Sequence, residues 1–274
     1  MKLGIVQHSF GVQMDVEEAM ERAHRLGCRA FMPSRRLVAE ERERYRELLA
    51  SFGMEIIIGW GDRLVDNGAE QPTDAFAQAL REIHSYFGVR VIPICSTHHR
   101  WRKDPPLDEQ LARLAAAFRV LCPVAEDFGM TFALENHADY RAPDLLRLLE
   151  MVDRDSLRIQ LDTGNPFAVA EEPVDAARAL APHVVSTHIK DMTIRPLTDP
   201  ARHGEWCKVL GSGIGEGDVD IRAIARILHE RAPDPAALPF CLEIEPPPGS
   251  DHIRMCEEGV AFVRRELSDV VACG

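Results

Sequence analysis

Four side chains able to ligate a metal stand at the ends of four apolar runs: Glu135 after Thr-Phe-Ala-Leu, Asp162 after Arg-Ile-Gln-Leu, His188 after Val-Val-Ser-Thr and Glu243 after Phe-Cys-Leu. Glu135 and Asp162 are 27 residues apart, Asp162 and His188 26 apart. Each interval fits one strand, one helix and two loops, so the three residues occupy the same place in successive βα units. The 55-residue gap to Glu243 holds a Gly-rich insertion, Gly211 to Gly217, and one further helix, so Glu243 falls on the next strand. Parallel strands closed into a barrel bring their carboxyl ends into one ring, where (β/α)8 enzymes keep their chemistry. Oxygen and nitrogen donors without a thiolate suit one divalent ion, Mn²⁺, Co²⁺, Zn²⁺ or Mg²⁺. Glu245 lies two residues beyond Glu243, faces the same side of a strand, and is an equal candidate for the last carboxylate. Alternation also predicts that Gln160 and Arg158 face inward with Asp162, that Ile159 and Leu161 pack outward, and that Ser186 and Lys190 share the side of His188.

The elements that position these residues alternate from one end to the other. Strands are predicted at 2–6, 28–32, 54–58, 89–94, 130–135, 157–162, 184–188 and 240–245, and helices near 15–26, 37–52, 73–86, 107–128, 142–152, 173–181, 219–231 and 255–268. Asp15 with Glu18 reads as a capping box, Thr73 as a cap and Pro143 as a first-turn proline. Gly27, Gly53, Gly88 and Gly129 stand where a helix ends in a left-handed residue. Eight βα units with ligands on consecutive strands predict a single (β/α)8 TIM barrel over residues 1–274 rather than a doubly wound sheet. The segments 96–106 and 192–218 are long for such connections and read as candidate lids over the site.

A chain of 274 residues, 46% hydrophobic, has the size and core of one such barrel. Its net charge of −12 disfavours nucleic acid and anionic membrane as partners. Cys28, Cys95, Cys122, Cys207, Cys241, Cys256 and Cys273 form no CxxC pair and read as reduced thiols, mostly core filler, in a cytoplasmic protein. The chain opens directly on a strand, without the apolar run of a signal peptide. His8, Trp60 and the run His98 to Trp101 follow early strands and are candidates to line a polar pocket with aromatic walls. No Walker loop or dinucleotide fingerprint is present, so no nucleotide cofactor is expected. A homo-oligomer is left open by the composition.

Leu134-Glu135-Asn136-His137, Leu161-Asp162-Thr163-Gly164-Asn165-Pro166, Thr187-His188-Ile189-Lys190-Asp191-Met192, Gly213-Ile214-Gly215-Glu216-Gly217-Asp218-Val219-Asp220 and Leu242-Glu243-Ile244-Glu245 together resemble the motifs of the xylose-isomerase-like TIM-barrel superfamily, the sugar phosphate isomerase/epimerase group. The resemblance implies one divalent ion on Glu135, Asp162, His188 and Glu243, with Glu243 preferred to Glu245, and an adjacent carbonyl and hydroxyl of a small carbohydrate chelated to it. It further implies that Glu135 and Glu243 act as acid and base through an enediolate. His137, Lys190 and Asn165 would contact substrate, although Lys190 has Asp191 and Glu216 as competing partners. The expected reaction is isomerisation or epimerisation of an unphosphorylated sugar, keto-sugar or polyol, since no phosphate cradle is visible. A dehydratase or lyase using His8, His98, Lys103 or His203 as the leaving-group acid is the alternative. A DNA-repair nuclease of the endonuclease IV type is disfavoured by Asn165, where that branch carries a second metal-binding histidine, and by the acidic charge.

Overall fold

Strand alternation gives way to a curled parallel sheet in the computed structural model, which describes residues 1–34, 39–59, 74–96, 100–101, 103–197 and 207–274. The strands are β1 (Lys2–Val6), β2 (Ala30–Met32), β3 (Glu55–Ile56), β4 (Val91–Ile94), β5 (Thr131–Glu135), β6 (Leu157–Asp162), β7 (Val184–His188), β8 (Asp191–Pro196), β9 (Cys207–Ser212) and β10 (Pro239–Leu242). Eight of them are parallel, in two runs ordered β10-β1-β2-β3 and β4-β5-β6-β7. The runs join where Ile189 donates to the Cys241 carbonyl at 2.7 Å and accepts from the Glu243 N–H at 3.0 Å. The fold is a TIM barrel, one of the arrangements that strict βα alternation allows.

The helices follow at the predicted places: α1 (Val16–Arg25), α2 (Ala39–Phe52), α3 (Asp74–Phe87), α4 (Leu107–Glu126), α5 (Ala142–Val152), α6 (Pro173–Leu180), α7 (Ile221–Arg231) and α8 (His252–Glu266). Gly27, Gly53, Gly88 and Gly129 are left-handed, with φ of 72°, 62°, 64° and 61°, as C′ residues should be. Pro143 sits in the first turn of α5. The box at Asp15 is only half formed. Asp15 accepts from the Glu17 N–H, while Glu18 turns along the helix to pair with Arg22 at 2.9 Å, the geometry that a residue four positions on makes available. Thr73 lies outside the described residues.

Outward-facing Ile159 and Leu161 are fully buried against the helices, and Phe132 on β5 meets Phe118 on α4 with ring centroids 6.0 Å apart. Each such side chain contributes roughly 1.5–3 kcal/mol by leaving water, which makes this inside-out alternation hard to slip. No described helix is long and apolar enough to cross a membrane.

One expectation needs correction. The segment after His188 is not a plain loop: β8 and β9 pair as an antiparallel hairpin from Asp191↔Ser212 to Pro196↔Cys207. Only Asp191 and Thr193, both polar, are buried in it, and β9 buries no residue, so the apolar alternation that marks a strand is missing from the sequence. Beyond it, Asp191 accepts from the N–H groups of Gly215 (2.8 Å), Gly217 (2.9 Å) and Val219 (3.2 Å), which folds the Gly-rich run back onto the strand end.

Candidate metal and active site

Register brings the sequence-predicted ligands together. Asp162 ends β6 directly opposite His188 at the end of β7, and Glu135 ends β5 opposite Gln160. Glu243 follows β10, tied by its own N–H to the residue after His188. All four side chains are buried. His188 Nδ1 lies 3.5 Å from Glu135 Oε1 and 3.5 Å from Glu243 Oε2, so one imidazole edge faces two carboxylates. Glu135, Asp162 and His188 present donor atoms within 4.8 Å of one another; Glu243 stands beside them and shares a second cluster with His8 and Glu245.

Lys190 enters this ring from the β7 side, at 3.2 Å from Asp162 Oδ2, 2.8 Å from Glu243 Oε2 and 3.2 Å from Glu245 Oε1. The expected alternatives, Asp191 and Glu216, are not its partners, because Asp191 is saturated by the backbone N–H groups of the Gly-rich run. Of the two candidate glutamates, Glu243 reaches His188, whereas Glu245 has a half-exposed side chain. His8 Nε2 lies 3.2 Å from Glu243 Oε1, and its Nδ1 lies 2.9 Å from Ser34 Oγ. Asn165 donates from Nδ2 to Glu135 Oε1 at 3.2 Å, and its backbone N–H, with that of Gly164, donates to Asp162 Oδ1 at 2.8 Å.

The charge balance decides the electrostatics. Burial raises all three carboxyl groups, but for Glu135 the facing His188 outweighs it and holds the group at about 2. Glu243 is likewise held well below its usual range, against burial, by His188, His8 and Lys190. Asp162 goes the other way: burial dominates and pushes it to about 7 despite Lys190. Burial alone would lower His188, yet Glu135 and Glu243 drive it up to about 9. Two buried carboxylate oxygens, Asp162 Oδ2 and Glu243 Oε2, have no aligned hydrogen-bond donor. Three carboxylates thus face one ammonium and an imidazole that the carboxylates themselves keep protonated; with that proton gone, as metal ligation by His188 requires, the ring would carry two uncompensated negative charges. Buried charge of that kind calls for a metal or a proton, and the hard oxygen and imidazole donors fit a divalent cation.

Several participants were not legible beforehand. Cys95, read as core filler, donates its thiol to Glu135 Oε2 at 3.2 Å. Its signal was positional, since it directly follows β4 as the ligands follow theirs. Asn136 locks the Asp162 backbone by a reciprocal pair, Nδ2 to Asp162 O at 2.9 Å and Asp162 N to Oδ1 at 2.7 Å. Met32 Sδ lies 3.1 Å from His188 Nε2. Other expected residues stay apart. His137 is exposed and has no hydrogen bond or ion pair among the described residues, and Lys103 is exposed. Arg158, expected inward, is half-buried and pairs with Asp155 at 2.7 Å. It sits near the start of β6, where a guanidinium can leave the barrel for water. Trp60, His98 and His203 lie outside the described residues. A cavity of 660 Å³ does open elsewhere, at the amino-terminal end of the barrel, but its lining is mainly apolar and lacks the acidic ring.

This fold has known relatives. The sequence model described as the xylose isomerase-like TIM barrel matches residues 16–265, and the chain belongs to that family. It is 28% identical over 191 residues to the 3-oxo-isoapionate decarboxylase of Pectobacterium atrosepticum, a stretch covering 69% of this chain and 62% of that protein. It is 31% identical over 123 residues to the uncharacterized protein YihM of Escherichia coli K12, covering 45% and 36% respectively. The matched stretches thus span less than two thirds of either relative's length. In structure it is similar to an L-ribulose 3-epimerase (TM-score 0.73, 18% identity, 98% of this chain and 95% of that one). It is similar also to the IOLI protein with a bound zinc atom (0.73, 16%, 98% and 98%) and to the probable 3-DHS dehydratase AsbF of Bacillus anthracis (0.70, 18%, 96% and 99%). At these identities the solved structures establish the fold alone.

Proposed function

We propose that this protein is a divalent-metal-dependent isomerase or epimerase of a small sugar or keto-sugar, with the ion held by Glu135, Asp162, His188 and Glu243. The observation that carries the reading is the pair of carboxylates, Glu135 and Glu243, each 3.5 Å from the same nitrogen of His188 in a buried ring that also holds Asp162. An epimerase and a zinc-bound protein among the structural neighbours agree with it. When bound, the ion would polarise a substrate carbonyl and stabilise the enediolate charge. Glu135 and Glu243 then stand on different strands around the reacting carbon, one taking its proton and the other returning a proton, which inverts the centre or moves the carbonyl. Asn165 and Gln160 orient Glu135, and Lys190 holds Glu243 ionised between turnovers. His8 bridges that carboxylate to Ser34. Exposed His137 would be open to substrate oxygens, whereas Lys190 and Asn165 would share theirs with the carboxylates they already contact.

A second reading, a lyase, is favoured by the match to a decarboxylase over 69% of the chain. Loss of carbon dioxide or water from a 3-oxo acid or keto-sugar passes through the same enediolate. One experiment separates the two. Metal-loaded protein is incubated in D₂O with a panel of ketoses, 3-keto-sugars, inososes and 3-oxo-aldonates. Deuterium in recovered substrate together with a new epimer or isomer supports the first reading; released carbon dioxide or a dehydrated product supports the second. An Asp162→Ala variant with undiminished metal content by elemental analysis, and a native helical circular-dichroism signal, would overturn the site on which both rest.

A further inference from the structure

We infer that Gln160 and Ser186 form a positioning pair that selects which oxygen of Glu135 is presented to the ion, an inference that rests on the metal reading above. Gln160 lies two residues before Asp162 on β6 and is buried; Ser186 lies two before His188 on β7 and is fully buried. Ser186 Oγ donates to Gln160 Oε1 at 2.8 Å, and Gln160 Nε2 donates to Glu135 Oε2 at 3.0 Å. The amide has one workable orientation. Turned over, it would set its carbonyl oxygen against the carboxylate. The Cys95 thiol donates to the same oxygen, so Glu135 Oε2 holds two protein donors, whereas Oε1 faces His188 and takes one, from Asn165 Nδ2 at 3.2 Å.

A bulge makes the pairing possible. Between Ile159 and Gln160 the β6–β7 register shifts, from Ile159↔Val184 to Gln160↔Ser186, so β7 spends one extra residue there. Without it Gln160 would face Val185 and have no hydroxyl partner, and Asp162 would not stand opposite His188. Bulges re-aim side chains in this way beside active sites. The residue type at 160 follows from the charge: a carboxylate would add a fourth negative group to the ring, and an apolar side chain would strip Glu135 Oε2 of its best donor.

The test is Mn²⁺ affinity by isothermal titration, with the visible spectrum of the Co²⁺ form as a second readout, on wild type, Gln160→Leu, Ser186→Ala and Ser186→Thr. Partners that orient a metal ligand are worth roughly 10–100-fold in affinity. Gln160→Leu should lose that much and shift the Co²⁺ bands. Ser186→Ala should lose less in the same direction, and Ser186→Thr, which keeps the hydroxyl, should bind as wild type does. Should Gln160→Leu fail to fold, Ser186→Ala against Ser186→Thr carries the test. Folded variants that bind Mn²⁺ within about twofold of wild type, with unchanged Co²⁺ spectra, overturn the positioning role. A wild type that binds neither ion overturns the metal reading, and this inference with it.

Discussion

The Lys190 ammonium lies 2.8 Å from Glu243 Oε2, with only 7% and 9% of the two side chains exposed. A buried pair of this kind is weak support for stability compared with an apolar one, but breaking it on one side is costly. Lys190→Met should therefore lose roughly 3–5 kcal/mol in urea denaturation with chelator present, since Asp162 and Glu243 keep their charge problem and lose its remedy. Added Mn²⁺ should recover much of that loss. Equal stability of variant and wild type in chelator would show that Lys190 is not the counter-charge of this ring.

Proton transfer and ion binding should separate at the two glutamates. Glu135→Gln and Glu243→Gln keep an oxygen donor but remove the titratable group, so turnover on whichever substrate the D₂O screen identifies should fall by about 10²–10⁴. With one base lost, the other can still exchange the substrate C–H for deuterium without completing the reaction. Near-native turnover in both variants, with metal bound, would rule out the two-glutamate mechanism and turn attention to Glu245 and Lys190.

Asp139 gives a pH signature. Its carboxylate accepts from Ser96 Oγ and from the Tyr140 N–H, yet burial dominates and raises it to about 6 from 3.8. A carboxyl group raised on folding stabilises fully below its unfolded value, and that contribution is lost as pH rises through the folded one. Asp139→Asn lacks the loss. The stability of wild type relative to this variant should fall by an amount on the order of 1–3 kcal/mol between pH 4 and pH 7, measured by urea denaturation in chelator. A difference that is flat or grows with pH would contradict the assignment.

Gly211 on β9 passes so close to the end of β10 that a Cβ there would stand 1.9 Å from the Glu245 carbonyl oxygen. Backbone cannot give way as a flexible side chain can. Gly211→Ala should push the hairpin off the strand end that carries Glu243 and Glu245, lowering Mn²⁺ affinity while the far-ultraviolet circular dichroism stays near native. Unchanged affinity would mean that the hairpin does not brace those glutamates.

The sequence alone determined the barrel, because its signals are local: alternation within strands, left-handed glycines after helices, and near-equal intervals between Glu135, Asp162 and His188. It also placed Glu243 on the same ring, since one strand end per βα unit leaves little freedom. Side-chain partners are a different matter. Lys190 was free on paper to choose Asp191 or Glu216; the folded chain gives Asp191 to the N–H groups of Gly215, Gly217 and Val219 and sends the ammonium to Asp162 and Glu243. The β8–β9 hairpin was hidden because the residues it buries, Asp191 and Thr193, are polar and β9 buries none, and Cys95 was hidden because a thiol at a strand end looks like any core cysteine. The bulge that sets Ser186 against Gln160 was equally invisible. One extra residue in a strand changes no local preference, and only the neighbouring strand reveals what it is opposite.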